Sequence, residues 1–200
     1  MVSQQPPQGE WQQLKPDAEH ALSNLLSEIS SHSDPQSLFE AYTYAKEIAA
    51  RAMQARMLMH LPSENPQFRS LHAKIRQQMH SRYKETVPER LLGAPYGGKT
   101  HERLFSLLHE SLGQPVPAAM LRIVTGDHVH TERRTRELRE LGFDVDWYDA
   151  EGINVYELRS LDLDFEMLPT IVRNNVRKTK SLSKDEKLRV LKIAGISEDG

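Results

Sequence analysis

Apolar residues in this chain recur every three or four positions over most of its length, and that rhythm breaks at one place. Up to Leu141 the spacing is helical. Gly142 then ends the run, and Phe143, Val145 and Trp147 or Tyr148 alternate as in a half-buried strand. Ala150-Glu151-Gly152-Ile153-Asn154 supplies turn chemistry, and Val155-Tyr156-Glu157-Leu158-Arg159 returns as a second strand. One hairpin in an otherwise helical pattern makes the expected fold class mainly α, since an α/β chain needs strands and helices in alternation. With 200 residues, 38% of them apolar, one medium domain or two small ones can bury a core.

The helices before the break divide the chain. Residues 1–16, rich in Gln, Pro and Gly, are expected to be a flexible tail. From Asp17 to Ile29, the residues Ala21, Leu22, Leu25, Leu26 and Ile29 predict a short amphipathic helix. Asp34 before Pro35 predicts an N-cap, with a long helix to about Leu61 whose stripe Ala41, Ala45, Ile48, Ala52, Ala55, Met59 invites close approach of another helix. A further helix with Phe68, Leu71, Ile75 and Met79 on one face follows, and the two are expected to form an antiparallel hairpin over 36–83. Its alanine stripe suits either a homodimer or packing against the first helix and the next domain. The expected division is a helical region over 17–92, a winged helix-turn-helix over 93–160 and a basic helical segment over 161–200.

Gly93-Ala94-Pro95-Tyr96-Gly97-Gly98-Lys99-Thr100 fits the phosphate-loop spacing G-x-x-x-x-G-K-T and runs into a helix. A phosphate loop also needs a buried strand leading into it, and the preceding Thr86-Val87-Pro88-Glu89-Arg90-Leu91-Leu92 is short, charged and broken by proline. Gly93, Gly97 and Gly98 are therefore expected to form an interdomain turn, with nucleotide hydrolysis as a third functional alternative.

Beyond the loop, helices over Thr100–Leu112, Pro117–Val124 and Thr131–Leu141 precede the hairpin, which is the layout of a winged helix-turn-helix. The third helix carries Arg133-Arg134-Thr135-Arg136-Glu137-Leu138-Arg139, then Gly142-Phe143, and the hairpin ends in Tyr156-Glu157-Leu158-Arg159-Ser160. These residues resemble the winged-helix module found beside nuclease domains of the HNH class in bacterial and phage restriction-type proteins. In that module R-R-x-R-E-L-R ends the recognition helix, a Gly and an aromatic follow, and Y-x-L-R-S closes the hairpin. The likeness runs from Lys99 to Ser160 and implies DNA engagement by a prokaryotic or phage protein. It does not extend to cutting, because the chain has no His-Asn-His constellation and no cysteine.

The residue pattern bears on that implication directly. Thr131, Thr135, Leu138 and Leu141 share the core face of the third helix, so Arg133 and Arg136 project outward with Arg134 and Arg139 at the flanks. Guanidinium groups placed so can read guanine or clamp phosphates. Against this, Glu132, Glu137 and Glu140 stand at pairing distance, and residues 99–160 hold eight basic and eleven acidic side chains. Residues 169–192 carry eight Lys/Arg, among them Arg173, Arg177, Lys178 and Lys180, against Asp185 and Glu186, and can supply phosphate contacts.

Other chemistry is narrower. Asp127-His128-Val129-His130 could offer metal ligands, but it sits between two helices where Asp and His commonly cap ends, and spacing suggests no third ligand, so capping is the expected role. Asp144 and Asp146 occupy the wet face of a strand, and no serine stands in a nucleophile elbow. With no apolar run long enough to span a membrane and no signal peptide, the chain is expected in the cytoplasm, not an enzyme, without metal or cofactor. The expectation is a winged-helix protein whose partner is double-stranded DNA, acting as regulator or targeting part of a restriction or mobile-element system, with a separate catalytic subunit possible. The alternative from another class is a protein–protein interaction module with no DNA binding.

Overall fold

The structure is a computed structural model that describes residues 7–126 and 130–198. Among these the fold is mainly helical, with eight α-helices and a three-stranded antiparallel sheet. Contacts group the chain into two units, Met1–Ser63 with Ala119–Thr131, and Glu64–Ala118 with Glu132–Gly200. Those boundaries differ from the expected ones near residues 92 and 160.

In the first unit, α1 (Pro7–Ser30) and α2 (Pro35–Leu58) form the hairpin. Leu14 packs with Ala52 and Ala55, while Ala21 packs with Ala45 and Ile48, so the helices run antiparallel. This corrects the expected partnership over 36–83. The alanine stripe is covered by α1, and the third helix lies in the other unit. It also corrects the tail, because α1 starts at Pro7 and continues through Pro16. Packing of Trp11 and Leu14 against α2, with Arg56 placed 6.0 Å over the Trp11 ring, stabilises a stretch whose composition alone is tail-like. Asp34 caps α2 as expected. Its carboxylate accepts from the Gln36 and Ser37 amides at 2.9 and 3.1 Å and from the Ser37 hydroxyl at 2.6 Å, and these bonds, the hydroxyl foremost, hold its pKa below the usual value. Gln54 Nε2 donates to Val124 O at 3.0 Å and ties α2 to α5 (Ala118–Val124).

The second unit contains α3 (Pro66–Tyr83), α4 (Lys99–Glu110), β1 (Val116–Pro117), α6 (Thr131–Glu140) beyond its first residue, β2 (Phe143–Ala150), β3 (Ile153–Leu163), α7 (Leu168–Lys178) and α8 (Lys184–Ile193). Phe68 of α3, Phe105 of α4 and Phe143 of β2 meet with ring centroids 5.2 to 5.9 Å apart. Burying one such ring is worth about 1.5–3 kcal/mol, and each aromatic pair adds about 0.5–1.5, so this trio fixes where helix and sheet meet. Asn65 caps α3 and is itself held, its amide donating to Glu102 Oε1 at 2.8 Å and its side chain to Ser106 Oγ at 3.1 Å.

The sheet order is β1-β3-β2. Val145 faces Leu158 and Tyr148 faces Val155, with a bulge between Phe143 and Val145. The β2–β3 turn is two residues, Glu151 (φ 55°) and Gly152 (φ 84°), the left-handed pair that matches strand twist. Gly142 adopts φ 88°, and a Cβ there would stand 2.4 Å from the Asp164 carbonyl oxygen. Only glycine can end α6 in this way.

Candidate nucleic-acid interface

Helix α6 places Thr131, Thr135 and Leu138 inward, with Leu141 just beyond it, as its spacing predicts. Glu137 is buried too, at 2% exposure. Its carboxylate accepts from Arg134 Nη1 at 2.7 Å, His101 Nε2 at 2.8 Å and Arg133 Nε at 3.1 Å. Burial works to raise the pKa of Glu137, but hydrogen bonds from His101, Arg134 and Arg133 outweigh it and leave the group below its ordinary value, hence ionised. Burial is the main cause holding His101 below the ordinary imidazole value, with Glu137 offsetting part of it. A neutral ring facing a carboxylate carries its proton on Nε2. That leaves the buried Nδ1 without a hydrogen-bond partner among the described residues.

The arginines of α6 are thus largely committed. Arg133 and Arg134 serve Glu137, and Arg136 lies 3.7 Å from Glu140. Arg139 is exposed and, with Asp144, Ser160, Asp162 and Asp164, borders a surface hollow of about 420 Å3. On the hairpin, Asp146 pairs with Arg159, Ser160 Oγ donates to Asp144 at 3.1 Å, and Tyr148 donates to Glu157 at 2.9 Å, which raises the phenol pKa. These acids brace the hairpin, and among the described residues no group of three or more His, Asp or Glu could hold a metal ion. Asp127, His128 and Val129 lie outside the described residues.

The C-terminal cations are arranged otherwise. Arg173 is a correction: at 9% exposure it faces into the unit, donating to Thr170 Oγ1 at 3.3 Å, because the apolar face of α7 carries Ile171, Val172 and Val176 on either side of it. Arg177, Lys178 and Lys180 are exposed. Arg177 donates to Glu198 O, and Lys187 donates to Arg177 O at 2.9 Å, bonds to carbonyls that leave the positive charge unneutralised. Lys178 sits 5.6 Å over the Tyr96 ring and 3.3 Å from its hydroxyl. Glu186, one of the two acids of 169–192, is engaged in the capping box of α8, accepting from Ser183 N and Oγ at 2.7 and 2.8 Å.

The G-x-x-x-x-G-K-T stretch is preceded by a short 3-10 turn, Glu89–Leu91, and not by a strand. It lies within the second unit, which corrects the expected interdomain turn. His72 Nε2 donates to Pro95 O at 2.8 Å, and Asn175 Nδ2 donates to Leu91 O at 2.9 Å and Gly93 O at 2.8 Å, so α3 and α7 clamp the loop. A Cβ on Gly97 would stand 2.9 Å from the His72 ring, which explains one of the glycines by packing alone. Tyr96, at φ 60°, lays its ring 5.5 Å from that of His101 and donates its hydroxyl to Glu140 at 3.0 Å. Burial foremost raises the Tyr96 pKa, so the phenol keeps its proton for that bond. Spacing within the sequence could not reveal Glu137, His101 or Tyr96 as a cluster, since their partners are 36 and 44 residues apart.

No curated protein and no solved structure matches the chain. Residues 101–159, from the start of α4 into β3, match the family model described as the KpnI N-terminal domain, a restriction-enzyme-related domain, and so fit a module of a restriction system.

Proposed function

We propose that this chain binds double-stranded DNA through a winged helix-turn-helix, as the regulator or targeting part of a restriction or mobile-element system, leaving any cutting to a separate catalytic subunit. The match of residues 101–159 to the KpnI N-terminal domain carries this reading. The element order α4–β1–α5–α6–β2–β3, with β1 and β2 on either side of β3, supports it, being the order of winged-helix domains. In this scheme α6 is the recognition helix and β2–β3 the wing. Because Arg133 and Arg134 hold Glu137, base reading falls to Arg136 and Arg139, and phosphate contacts fall to Arg177, Lys178 and Lys180. Nucleotide hydrolysis loses its footing, since the loop that fits the pattern serves to seat Tyr96 between α4, α6 and α7.

One observation favours a second reading, a protein–protein module. The wing carries Asp144, Asp146, Asp149, Glu151, Glu157 and Asp162 against Arg159 alone, an unfavourable balance beside phosphates. A fluorescence-anisotropy titration of the full chain with random-sequence duplex at two salt concentrations separates the two. DNA binding predicts saturable, strongly salt-dependent binding. A signal that stays flat into the high micromolar range at low salt removes the DNA reading and leaves the interaction module.

A further inference from the structure

From Asn65 to Lys84 the chain holds five Lys/Arg and no Asp or Glu. Helix α3 turns Phe68, Leu71, Ile75 and Met79 into the core, so its cations divide between its flanks and its outer face. Three of them attach the helix to its own unit. Arg69 bonds Glu64 at 2.6 Å and Glu102 at 3.0 Å, Lys74 lies 5.6 Å from the Phe165 ring, and Arg82 Nη1 donates to Phe165 O at 3.5 Å.

The other two, Arg76 and Lys84, stand with His80 in one row at four-residue spacing. Each step advances about 6 Å along the axis. Together with Ala73, Gln77 and Ser81 they line an open groove of about 590 Å3. Every one of these residues is exposed. Counter-charge is sparse: Glu85 is 3.8 Å from Lys84 and Glu89 is 4.0 Å from His80, both on the solvent side, where such pairs are worth little. Arg76 has no ion-pair partner among the described residues. Nothing here resembles the buried carboxylate that engages the arginines of α6.

We infer that the face of α3 formed by Arg76, Gln77, His80, Ser81 and Lys84 is a contact surface for the phosphate backbone of double-stranded DNA. It rests on the DNA-binding reading and adds to it a surface outside residues 101–159. Arg, Gln, Ser and Lys all donate hydrogen bonds to phosphate oxygens, and the row presents positive charge to receive them. No Phe, Tyr or Trp lines the groove, so it offers no platform on which bases of a single strand would stack. Nor has it the large apolar side chains that an amphipathic helix buries in a bilayer.

The test is an anisotropy titration of the full chain against a short random-sequence duplex over a range of salt concentrations, with vesicles containing phosphatidylserine as a parallel arm. The double variant Arg76→Gln/Lys84→Gln is expected to lose about tenfold in affinity at low salt, for all sequences alike, with a log–log salt slope shallower by about 2. Arg76→Lys should stay within about twofold, because a phosphate accepts a point charge. Melting temperatures report folding. If the double variant melts early, Lys84→Gln alone is read instead, with a slope expected to be shallower by about 1. A wild type that binds duplex while the variant matches it in affinity and slope overturns the α3 surface and leaves DNA binding standing. A wild type that binds no duplex removes both, and one that binds only the anionic vesicles reassigns the face to lipid.

Discussion

Helix α6 and the α7–α8 segment both present rows of cations, and they differ in what stands beside them. On α6 the carboxylates are three and four residues from the arginines, and one of them, Glu137, is buried where only a cation or a donor can satisfy it. Around α7 and α8 the cations meet carbonyls and a phenol, while Glu186 is held by the cap of its own helix. A carbonyl accepts a hydrogen bond and leaves the charge in place, whereas a carboxylate cancels it. Four arginines on a helix therefore do not amount to four charges offered to a partner, and the lysine-bearing segment outweighs α6 in available field despite its plainer motif.

The largest expected effect tests that contrast at Glu137. Glu137→Ala leaves the buried imidazole N–H of His101 without its acceptor and frees two partly exposed guanidiniums, and should destabilise the second unit by about 1–3 kcal/mol in denaturant titration, as an unsatisfied buried donor does. A cost near zero would mean that Arg133 and Arg134 are not held, and the difference between the two regions would disappear.

A smaller effect is expected from pH. His101 has a folded pKa below its ordinary 6.5 and Glu137 one below its ordinary 4.5, so each favours the folded state fully above those values. Each contribution is lost as pH falls through the folded value, because the unfolded chain then binds the extra proton. Melting temperature should be level from pH 8 to 7 and decline below about 6.5. In His101→Gln the upper part of that decline should be absent, and a wild-type profile that is level down to pH 5 would contradict the buried neutral ring.

The smallest effect on stability belongs to the other region. Lys178→Ala/Lys180→Ala should change unfolding free energy by no more than about 1 kcal/mol, since both side chains are exposed. The same change should weaken duplex binding for all sequences alike and make the salt slope shallower by about 2. Arg133→Ala should do the reverse, moving stability more than affinity. If both variants behave alike, the division of cations into engaged and available fails.

Much of this arrangement is legible in the residues. The change of period at Gly142, the Asp34-Pro35 start and the inward row Thr131, Thr135, Leu138, Leu141 each follow from local geometry, and the structure places them accordingly. What escapes is whatever depends on a distant partner. The alanine stripe of α2 announces a close neighbour without naming α1, and residues 7–16 become helical because Trp11 and Leu14 find that stripe. β1 has two residues and one is proline, too little for any alternation. Arg173 belongs by charge to a basic segment and by position to the inner face of α7. At the candidate site, charge counting finds the glutamates but cannot reveal that Glu137 is the buried one, since that depends on His101 arriving from α4.

The interleaving of the two units has a consequence for synthesis. Residues 7–63 leave the ribosome before residues 64–118, so α1 and α2 can meet across the turn at 31–34 before the rest of either unit exists. Their unit takes its remaining piece, Ala119–Thr131, only after α3 and α4 have been made. At about 5–20 residues per second that delay is roughly 3 to 11 seconds, long beside the microseconds in which a helical pair forms. The α1–α2 segment is thus made well before its late piece, and the unit bearing α6 and the basic helices cannot close until α7 and α8 emerge. Neither unit can be excised by one cut in the gene, so truncation experiments on this protein will separate translation intermediates more readily than domains.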